Sequence, residues 1–411
     1  MSEQAHPDLL PLDVALTHLL GKVAERISSS GARSESHDLN DADGRILAAD
    51  IHAACDVPPW NNSAMDGYAL ASEDAVAGRT VNVSQRIPAG IAPIPLEQGT
   101  AARIFTGAPL PVGADTVVMQ ENCDVRGDAI NIRQSAKSEE NVRLAGADVR
   151  RGTLLFRAGH RLRPVDLGLL ASTGIVRVEV GRLPTVALLT TGDELVEPGQ
   201  PLGPGQIYNS NAAVLKAMLR RLGIQPVEFA SVGDSYNETA AVLTRAAAYC
   251  DCIVSTGGVS AGEEDHVRTV LQNTGNLDIW KLALKPGKPF AFGQLNNSLF
   301  FGLPGNPVSA FVTFVLLVRP ALLAMMGATA CELPQRSVVA GFAAPRSGLR
   351  QEYVRVILEE CNGKPVVNLL PDQSSGVLSS LTRADGLAIV PPLTEIEQGM
   401  QLRFMAFNDI V

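Results

Sequence analysis

The sequence predicts a multidomain protein in which an open, mostly parallel α/β sheet domain is flanked by β domains. From residue 185 to about residue 326, apolar runs alternate with helical patterns of about ten to fifteen residues, which is typical of βαβ units around a parallel sheet. On both sides of this region, short alternating runs separated by Gly and Pro indicate β structure. In addition, three glycine-rich loops lie between residues 253 and 309, and each follows an apolar run.

The N-terminal part predicts one helix followed by a small β domain. Apolar residues recur at helical spacing around Asp13, a candidate N-cap, from Leu12 to Val23. From about residue 51 to residue 150 the sequence pattern is typical of β structure, and it predicts strands at 103–105, 116–119 and 130–132. The elements that follow are a helix at 165–172, a strand at 175–180 and a boundary at 181–184.

The central part predicts the α/β domain and the last part a second β domain. The continuous apolar run at 186–189 is typical of a buried parallel strand, and Asn209-Ser210-Asn211 precedes a helix that stops at Gly223. The remaining elements of this domain are a strand at 227–230, a helix at 238–249, a strand at 252–254 and an apolar helix at 310–325. After Pro334, four short runs predict a barrel or sandwich of about 80 residues. These runs are 354–358, 366–370, 387–390 and 402–405.

Length, composition and charge restrict the class of protein. A chain of 411 residues corresponds to roughly two to four domains. Hydrophobic residues make up 46% of the chain and charged residues 19%, which argues against disorder. The net charge of −9 disfavours a nucleic-acid binder, because such proteins present a basic surface. Local lysines can still attract a small anionic ligand despite this overall sign.

Cysteine usage and hydropathy favour a soluble cytoplasmic protein. None of the six cysteines forms a C-x-x-C pair, so neither a zinc site nor a disulfide framework is indicated. The first residues show no signal-peptide pattern, and no apolar run reaches the ~18 residues that suggest a membrane span. We therefore expect no membrane association.

The three glycine-rich loops predict a site for a phosphorylated ligand. They span 256–262, 285–289 and 304–309. Glycines after a strand allow backbone N–H groups to turn toward an anion, and a following helix adds the positive end of its dipole. In open α/β sheets, ligands bind at the carboxyl ends of strands, where these loops fall. The first loop matches neither G-x-G-x-x-G nor a Walker A motif, and a tight strand-to-helix turn is the alternative.

Three acids follow predicted strands at the same expected edge of the sheet. Glu194, Asp234 and Asp265 together suggest a magnesium site facing phosphates. Each acid alone is also compatible with a solvated surface charge, and Asp265 with a helix N-cap.

Cations and a hydroxyl lie beside the second and third loops. Lys281, Lys285 and Lys288 fall in one short segment, where Pro286 and Pro289 restrict the backbone. Lysines bind phosphate or another oxyanion as point charges, although an ordinary solvated set is the alternative. Pro307 suits a first helical turn, from which Ser309 can donate to an oxyanion.

Combined motifs resemble the molybdopterin molybdenumtransferase family, MoeA, which is related to the E domain of gephyrin. In the β region they are Asn62-Ser63-Ala64-Met65-Asp66-Gly67-Tyr68-Ala69 and Arg103-Ile104-Phe105-Thr106-Gly107-Ala108-Pro109. In the α/β region they are Thr191-Gly192-Asp193-Glu194-Leu195, Ser255-Thr256-Gly257-Gly258-Val259-Ser260, Lys285-Pro286-Gly287-Lys288-Pro289-Phe290 and Gly302-Leu303-Pro304-Gly305-Asn306-Pro307-Val308-Ser309. They occur in family order and spacing from about residue 10 onward.

The resemblance implies four domains and a homodimer. The implied domains are a linker domain (1–50 and 150–182), an inserted β domain (51–149), an α/β domain of the type shared with molybdopterin adenylyltransferases (183–330) and a C-terminal β-barrel-like domain (331–411). The active site is then shared between the α/β domain of one subunit and the β domain of the other. Asp66 and Glu194, far apart in sequence, would thereby belong to one site.

The resemblance also implies a reaction: molybdate is inserted into adenylylated molybdopterin, AMP leaves and molybdenum cofactor forms, with a divalent metal, usually Mg²⁺. The implied catalytic residues are Asp66, Glu194, Asp234, Asp265, Lys281 and Lys285, with Glu194, Asp234 and Asp265 as metal ligands. The implied substrate-binding residues are Thr106, Arg143, Asp148, Thr191, Gly192, Gly257, Gly258, Ser260, Lys288, Pro304, Gly305, Asn306 and Ser309. Lys285, Lys288 and Ser309 fit the molybdate pocket. The segment 348–353 has one residue more than the family signature, which leaves open whether Arg350 contacts the anion, and the choice among the serines of 374–380 is also open.

Three other functions are compatible with parts of the pattern. A molybdopterin adenylyltransferase would share the α/β domain, but the additional β domains favour the molybdenumtransferase. A non-catalytic scaffold of the gephyrin type is disfavoured because the acids and lysines are present. A binding module for a different phosphorylated ligand is what the loops alone support.

Overall fold

The computed structural model describes residues 9–31, 33–229, 235–257 and 266–410. One α-helix lies near the N-terminus and the others lie from residue 164 onward, whereas the strands form separate sheets. The α-helices are Leu12–Ser30, Pro164–Ser172, Ser210–Arg221, Tyr236–Tyr249, His266–Thr274, Pro307–Thr313, Arg319–Met325, Ser379–Arg383 and Phe407–Ile410. The 3₁₀ turns are Leu39–Asp41 and Gln120–Asn122, and a π-helical segment, Phe314–Val318, joins two of the α-helices into one continuous helix.

Two short antiparallel pairs join segments that are more than a hundred residues apart. Ser34–Asp38 pairs with Arg177–Gly181, and Ile51–His52 pairs with Leu154–Phe156. The second pair brings the two ends of the intervening segment together, so residues 53–153 leave and re-enter the structure at one place. The helix Leu12–Ser30 packs elsewhere, because its buried Leu19 and Val23 belong to the core of the α/β region.

The intervening segment forms a six-stranded mixed sheet and one shorter pair. In spatial order the six strands are Thr116–Met119, Gly67–Leu70, Thr100–Ile104, Thr80–Ile87, Ala129–Ile132 and Cys123–Arg126. The shorter pair is Asn62–Ser63 with Val142–Arg143. The strands predicted at 103–105, 116–119 and 130–132 are thus present, with shifts of one to three residues at their ends.

The α/β domain contains the open sheet that the sequence predicts. In spatial order its strands are Val227–Glu228, Val186–Thr190, Cys252–Thr256, Ser298–Leu303, Pro289–Leu295 and Asn276–Lys281. The first four are parallel to one another, and Pro289–Leu295 pairs antiparallel with the strand on each side. Asn276–Lys281 therefore runs in the same direction as the first four. The sheet is mostly parallel, as predicted, with one reversed strand. A separate parallel pair, Leu195–Val196 with Ile207–Tyr208, follows the second strand of this order.

The C-terminal domain is a closed five-stranded barrel. Around the barrel the strands are Gln351–Cys361, Lys364–Leu369, Arg336–Ala340, Gln401–Ala406 and Gly386–Val390, and the last pairs back to the first. A strand from the α/β domain, Leu284–Lys285, adds in parallel to Gln351–Cys361. Together with the α/β sheet, this barrel confirms the predicted fold class.

The continuous helix 307–325 is the hydrophobic centre of the α/β domain. Within the described part of the chain it is the one helix long and apolar enough to cross a membrane, with a mean hydropathy of 2.1. However, 89% of it is buried inside the protein, as expected of a core helix. The helix begins at Pro307 rather than at the predicted residue 310, because Pro307 occupies its first turn.

Asp166 is a buried carboxylate that holds the start of the helix Pro164–Ser172. Its side chain is 4% exposed and accepts hydrogen bonds from Arg163 N (2.9 Å) and Arg163 Nε (3.0 Å), and it lies 2.8 Å from His160 Nε2. These bonds, the Arg163 side chain's first, lower the pKa of Asp166 from its ordinary 3.8 to about 2. Because the charged form is preferred in the folded state, Asp166 contributes stability above pH 4 or so, and this contribution is lost as the pH falls toward 2.

We expect Asp166→Asn to lower the free energy of unfolding at pH 7 by about 2 kcal/mol, since each pKa unit corresponds to about 1.4 kcal/mol. The difference from the wild type should shrink as the pH falls from about 4 toward 2, where the wild-type carboxyl also becomes neutral. Urea unfolding followed by circular dichroism at several pH values measures both effects. Asp128→Asn, at an exposed hairpin position, is the control, and a pH-independent difference would contradict the prediction.

Candidate functional site

The carboxyl ends of the strands in the α/β sheet form one continuous edge. Thr190 is in register with Thr256, and Thr256 with Leu303. Across the reversed strand, Trp280 is in register with Phe290. Because neighbouring strands lie about 4.8 Å apart, the edge from Thr190 to Trp280 is roughly 19 Å long. It can therefore accommodate an extended ligand with separate subsites at its two ends.

One end of this edge is built by the loops after Thr190 and Thr256. Thr191 N donates to Thr256 O at 3.1 Å, and Gly257 N donates to Leu303 O at 3.2 Å. Gly257 has a φ of +82°, and a Cβ there would lie 2.6 Å from Thr191 O. Glycine is required at this position both for its backbone conformation and for the close approach of the neighbouring loop.

Glu194 lies over the same end of the edge. Gly192 has a φ of +140°, and a Cβ at Gly192 would collide with the carboxylate of Glu194. Glu194 is exposed, and its backbone O accepts a hydrogen bond from Ile207 N at 2.8 Å. The structure thus brings Thr191, Gly192, Glu194 and Gly257 together, as predicted. Asp234, Gly258, Ser260 and Asp265 lie outside the described residues.

Two asparagines connect the loops of this edge, and sequence reasoning assigned them no role in the site. Asn209 caps the helix Ser210–Arg221 by accepting from Ala212 N, and its amide donates to Thr190 Oγ1 at 2.9 Å. The Asn211 amide donates to Gly305 O at 2.7 Å. The Asn-Ser-Asn sequence indicated a helix start, but the contacts with Thr190 and Gly305 depend on tertiary packing.

The other end of the edge carries the lysines. Lys281 ends its strand in register with Pro289, and Leu282 N donates to Lys288 O at 2.7 Å. Gly287, with a φ of +116°, packs against Thr313 of the core helix. The segment 285–288 is therefore held on both sides, and the exposed Lys285 and Lys288 project from a fixed backbone.

Lys285 is paired with a residue of the barrel. Its Nζ donates to Glu352 Oε1 at 3.1 Å, and the two residues are also in register on neighbouring strands. The Lys285 side chain is 49% exposed and that of Glu352 is 18% exposed. An ion pair this exposed contributes only about 0 to 1 kcal/mol to stability. The ion pair therefore matters mainly because it fixes the position of the Lys285 ammonium group.

The third loop leads into the core helix. Pro304 directly follows the strand Ser298–Leu303, and Asn306 precedes the first helical residue, Pro307. Ser309 lies in the first turn of the helix and is 4% exposed. Val308 N donates to Ser375 O of the barrel at 3.1 Å. The barrel segment 374–380 thus lies against the start of this helix.

Arg355 fixes that barrel segment. Its side chain is 1% exposed, with Nε donating to Ser380 Oγ at 3.1 Å and Nη2 donating to Ser374 O at 2.9 Å. Burial lowers the pKa of the Arg355 guanidinium. Arg350, which the sequence left open as an anion contact, donates from Nη1 to Leu284 O at 3.4 Å and so supports the strand that carries Lys285.

A small cavity lies where the Lys285 loop meets the barrel. It has a volume of about 360 Å³, and its polar lining includes Lys285, Arg346, Glu352, Tyr353 and Arg355. Burial raises the pKa of Tyr353 to about 12, so its phenol remains protonated at neutral pH.

The remaining predicted residues lie in the inserted β domain. Asp66 Oδ1 accepts from Thr106 N and from Thr106 Oγ1, both at 2.8 Å. These bonds, the backbone one first, lower the pKa of Asp66 below its ordinary value. Arg143 is in register with Asn62 of the short strand that precedes Asp66. Asp148 lies on the following turn, where its N donates to Val57 O at 3.0 Å.

The predicted residues thus form two groups, one held by contacts within the inserted domain and one held by contacts within the α/β domain and with the barrel. Asp66, Thr106 and Arg143 converge on the inserted domain, and the glycine loops and lysines converge on the sheet edge. Among the described residues, no group of three or more His, Cys, Asp and Glu side chains is placed to hold a metal ion. Of the three acids predicted as metal ligands, only Glu194 is described. A carboxylate oxygen is a suitable Mg²⁺ ligand, so this part of the set is chemically compatible with that ion.

The chain is similar to known proteins along most of its length. Residues 10–174 match "MoeA N-terminal region (domain I and II)", residues 187–324 match "Probable molybdopterin binding domain" and residues 337–407 match "MoeA C-terminal region (domain IV)". The molybdopterin molybdenumtransferase of Haemophilus influenzae is 41% identical over 300 residues, which cover 72% of this chain and 74% of the relative. Molybdopterin molybdenumtransferase 2 of Mycobacterium tuberculosis is 37% identical over 380 residues, which cover 89% and 93%.

A solved structure agrees with the fold. A molybdopterin biosynthesis MoeA protein from Pyrococcus horikoshii OT3 superimposes with a TM-score of 0.80 at 28% identity, covering 97% of this chain and 100% of that chain. The fold defines a multidomain protein that combines an α/β sheet domain with an inserted β domain and a C-terminal barrel. The sequence matches make the class more specific. The chain belongs to the MoeA family, and its relatives from Haemophilus influenzae and Mycobacterium tuberculosis are named molybdopterin molybdenumtransferases, which confirms the predicted family and transferase class.

Proposed function

We propose that this protein inserts molybdate into adenylylated molybdopterin, with release of AMP and formation of molybdenum cofactor. The observation that carries the proposal is that two different kinds of binding group lie along one edge of the sheet. Glycine-loop backbone and Glu194 occupy one end, Lys285 and Lys288 occupy the other, and the start of the core helix follows the strand between them. An adenylylated substrate and a small oxyanion need these two kinds of subsite side by side.

The chemistry of the residues suits each subsite. Backbone N–H groups near Gly257 and the third loop can hold the phosphates that are cleaved apart, since such donors bind anions without a counter-charge. Lys285 and Lys288 supply positive charge for a tetrahedral dianion, and Ser309 supplies a hydroxyl donor at the helix start. When the phosphoanhydride breaks, the same donors stabilise the charge that develops on the leaving AMP.

We propose Mg²⁺ as the cofactor, with Glu194, Asp234 and Asp265 as its ligands. The ion would neutralise phosphate charge at the glycine-loop end of the edge. We further propose that the protein acts in the cytoplasm, because its substrates are intracellular small molecules under this assignment.

The wild-type reaction is the direct test. Purified protein is incubated with adenylylated molybdopterin and Mg²⁺, with and without molybdate, and AMP is quantified. Molybdate-dependent AMP release is expected. Pyrophosphate formed from ATP and molybdopterin would instead indicate the adenylyltransferase. A stable large protein partner together with no AMP release would indicate a scaffold.

We propose that the active protein is a homodimer in which Asp66 and Thr106 of one subunit complete the sheet-edge site of the other. The Asp66–Thr106 pair is held within the inserted domain and Lys285 is held by the barrel, so each group is positioned without the other, which is compatible with a site built from two chains. Two subunits related by a twofold axis form two such sites.

This arrangement predicts complementation between inactive variants. Asp66→Ala and Lys285→Ala, co-expressed with different tags and purified as the mixed dimer, should recover about half of the wild-type AMP release, because one of the two sites then lacks both substitutions. The two homodimeric variants are the controls. A mixed dimer as inactive as its parents would show that each site is built from a single chain.

A further inference from the structure

Glu352 lies beside the lysine that is proposed to receive molybdate, although nothing so far gives this acid a function. Its Oε1 is 3.1 Å from Lys285 Nζ, and both side chains line the cavity of about 360 Å³. An anion that approaches Lys285 from this cavity must therefore come close to a carboxylate of like charge.

The carboxylate cannot withdraw by moving its backbone. Glu352 is in register with Lys285 on one side and with Val390 on the other, within a closed barrel. Arg350 and Gln351 also tie the neighbouring strand down, through hydrogen bonds to Leu284 O at 3.4 Å and to Ala283 O at 2.9 Å. Only a side-chain rotation can separate the Glu352 carboxylate from the Lys285 ammonium.

We propose that Glu352 competes with the incoming oxyanion for Lys285 and thereby weakens anion binding to the resting site. The inference rests on the proposed function for the identity of the anion, molybdate. Lys285 is about half exposed, so a second partner can reach its ammonium while Glu352 holds the first.

Two opposing effects follow from removing the charge of Glu352. The hydrogen bond from Lys285 then goes to a neutral acceptor and is weaker, so Lys285 becomes freer to rotate, which weakens anion binding. The anion loses a repelling unit charge only a few ångströms away, which strengthens anion binding. The electrostatic effect is the larger, because charge interactions at this distance exceed the rotational freedom of one side chain.

The test is equilibrium binding of sodium molybdate by calorimetry to wild-type protein and to Glu352→Gln. The substitution keeps the shape and removes the charge, and we expect the dissociation constant to fall roughly ten-fold, a modest value for charges this close at a partly exposed site. The KM for molybdate should fall with it while kcat does not rise, because the gain concerns the bound ground state. Sulfate should also become a stronger competitor.

Two further variants keep the test decisive. Glu360→Gln, an exposed acid on the same strand, should leave molybdate binding unchanged. Glu352→Asp keeps the charge but moves it one methylene away from Lys285, and it should tighten binding less than Glu352→Gln. It provides the same comparison if the Gln variant does not fold.

The possible results distinguish a failure of the proposed function from a failure of the proposed role of Glu352. Wild-type protein that binds no molybdate contradicts the proposed function. Wild-type protein that binds molybdate, together with a folded Glu352→Gln that binds it equally or more weakly, overturns the role of Glu352 alone and leaves the carboxylate as a purely structural partner of Lys285.

Discussion

Lys285→Ala is expected to lower molybdate-dependent AMP release by about 10²- to 10³-fold, the usual effect of removing one donor that stabilises developing charge. The Lys285 ammonium is fixed at the sheet edge by strand pairing with the barrel and by its bond to Glu352. Alanine removes the positive charge but none of the backbone contacts that hold the segment.

The fold should survive this substitution, because the ion pair that is lost is half exposed. Lys364→Ala, at an exposed position of a barrel hairpin, is the matched control for the loss of one lysine. Thermal unfolding checks the structure of both variants. Normal AMP release by a folded Lys285→Ala would count against an oxyanion subsite at this end of the edge.

Gly257→Ala is expected to raise the KM for adenylylated molybdopterin by about 10- to 100-fold, since displacements near 1 Å at a site cost up to about 10² in rate or affinity. An alanine at a φ of +82° is strained, and its Cβ would lie 2.6 Å from Thr191 O. The loops after Thr190 and Thr256 must then move apart at the point where they form the phosphate subsite.

The chain offers a control that separates strain from collision. Gly205 has a φ of +80°, almost the same as Gly257, but a Cβ there would meet nothing within 4 Å. Gly205→Ala should therefore cost a comparable amount of stability without changing KM. If both variants bind the substrate as the wild type does, the close approach of Gly257 to Thr191 has no role in binding.

Local sequence patterns predicted the elements whose signals are short-range. The apolar run at 186–189 became the buried parallel strand Val186–Thr190, and the asparagines before residue 212 became a capped helix start. Gly257 and Gly287 were singled out as loop glycines, and both have positive φ values. These features depend on neighbours within a few residues, which the sequence displays directly.

Features that depend on long-range pairing were not predicted. The reversal of strand Pro289–Leu295 and the addition of Leu284–Lys285 to the barrel depend on which strands meet in space. The Lys285–Glu352 pair and the Asn211–Gly305 bond join residues 67 and 94 positions apart. The motifs named candidate site residues along the chain, and the three-dimensional register shows which of the described side chains lie next to each other.

The meeting of strands Ile51–His52 and Leu154–Phe156 has a consequence for how such proteins can be rearranged. The hundred residues between them form their own sheet and two compact apolar clusters. If this segment were removed, a tight hairpin turn from His52 to Leu154 could close the gap. The segment is therefore a unit that can be lost or replaced as a whole. Gene recombination could add, delete or exchange this segment at a single point while the remainder of the chain keeps its connectivity.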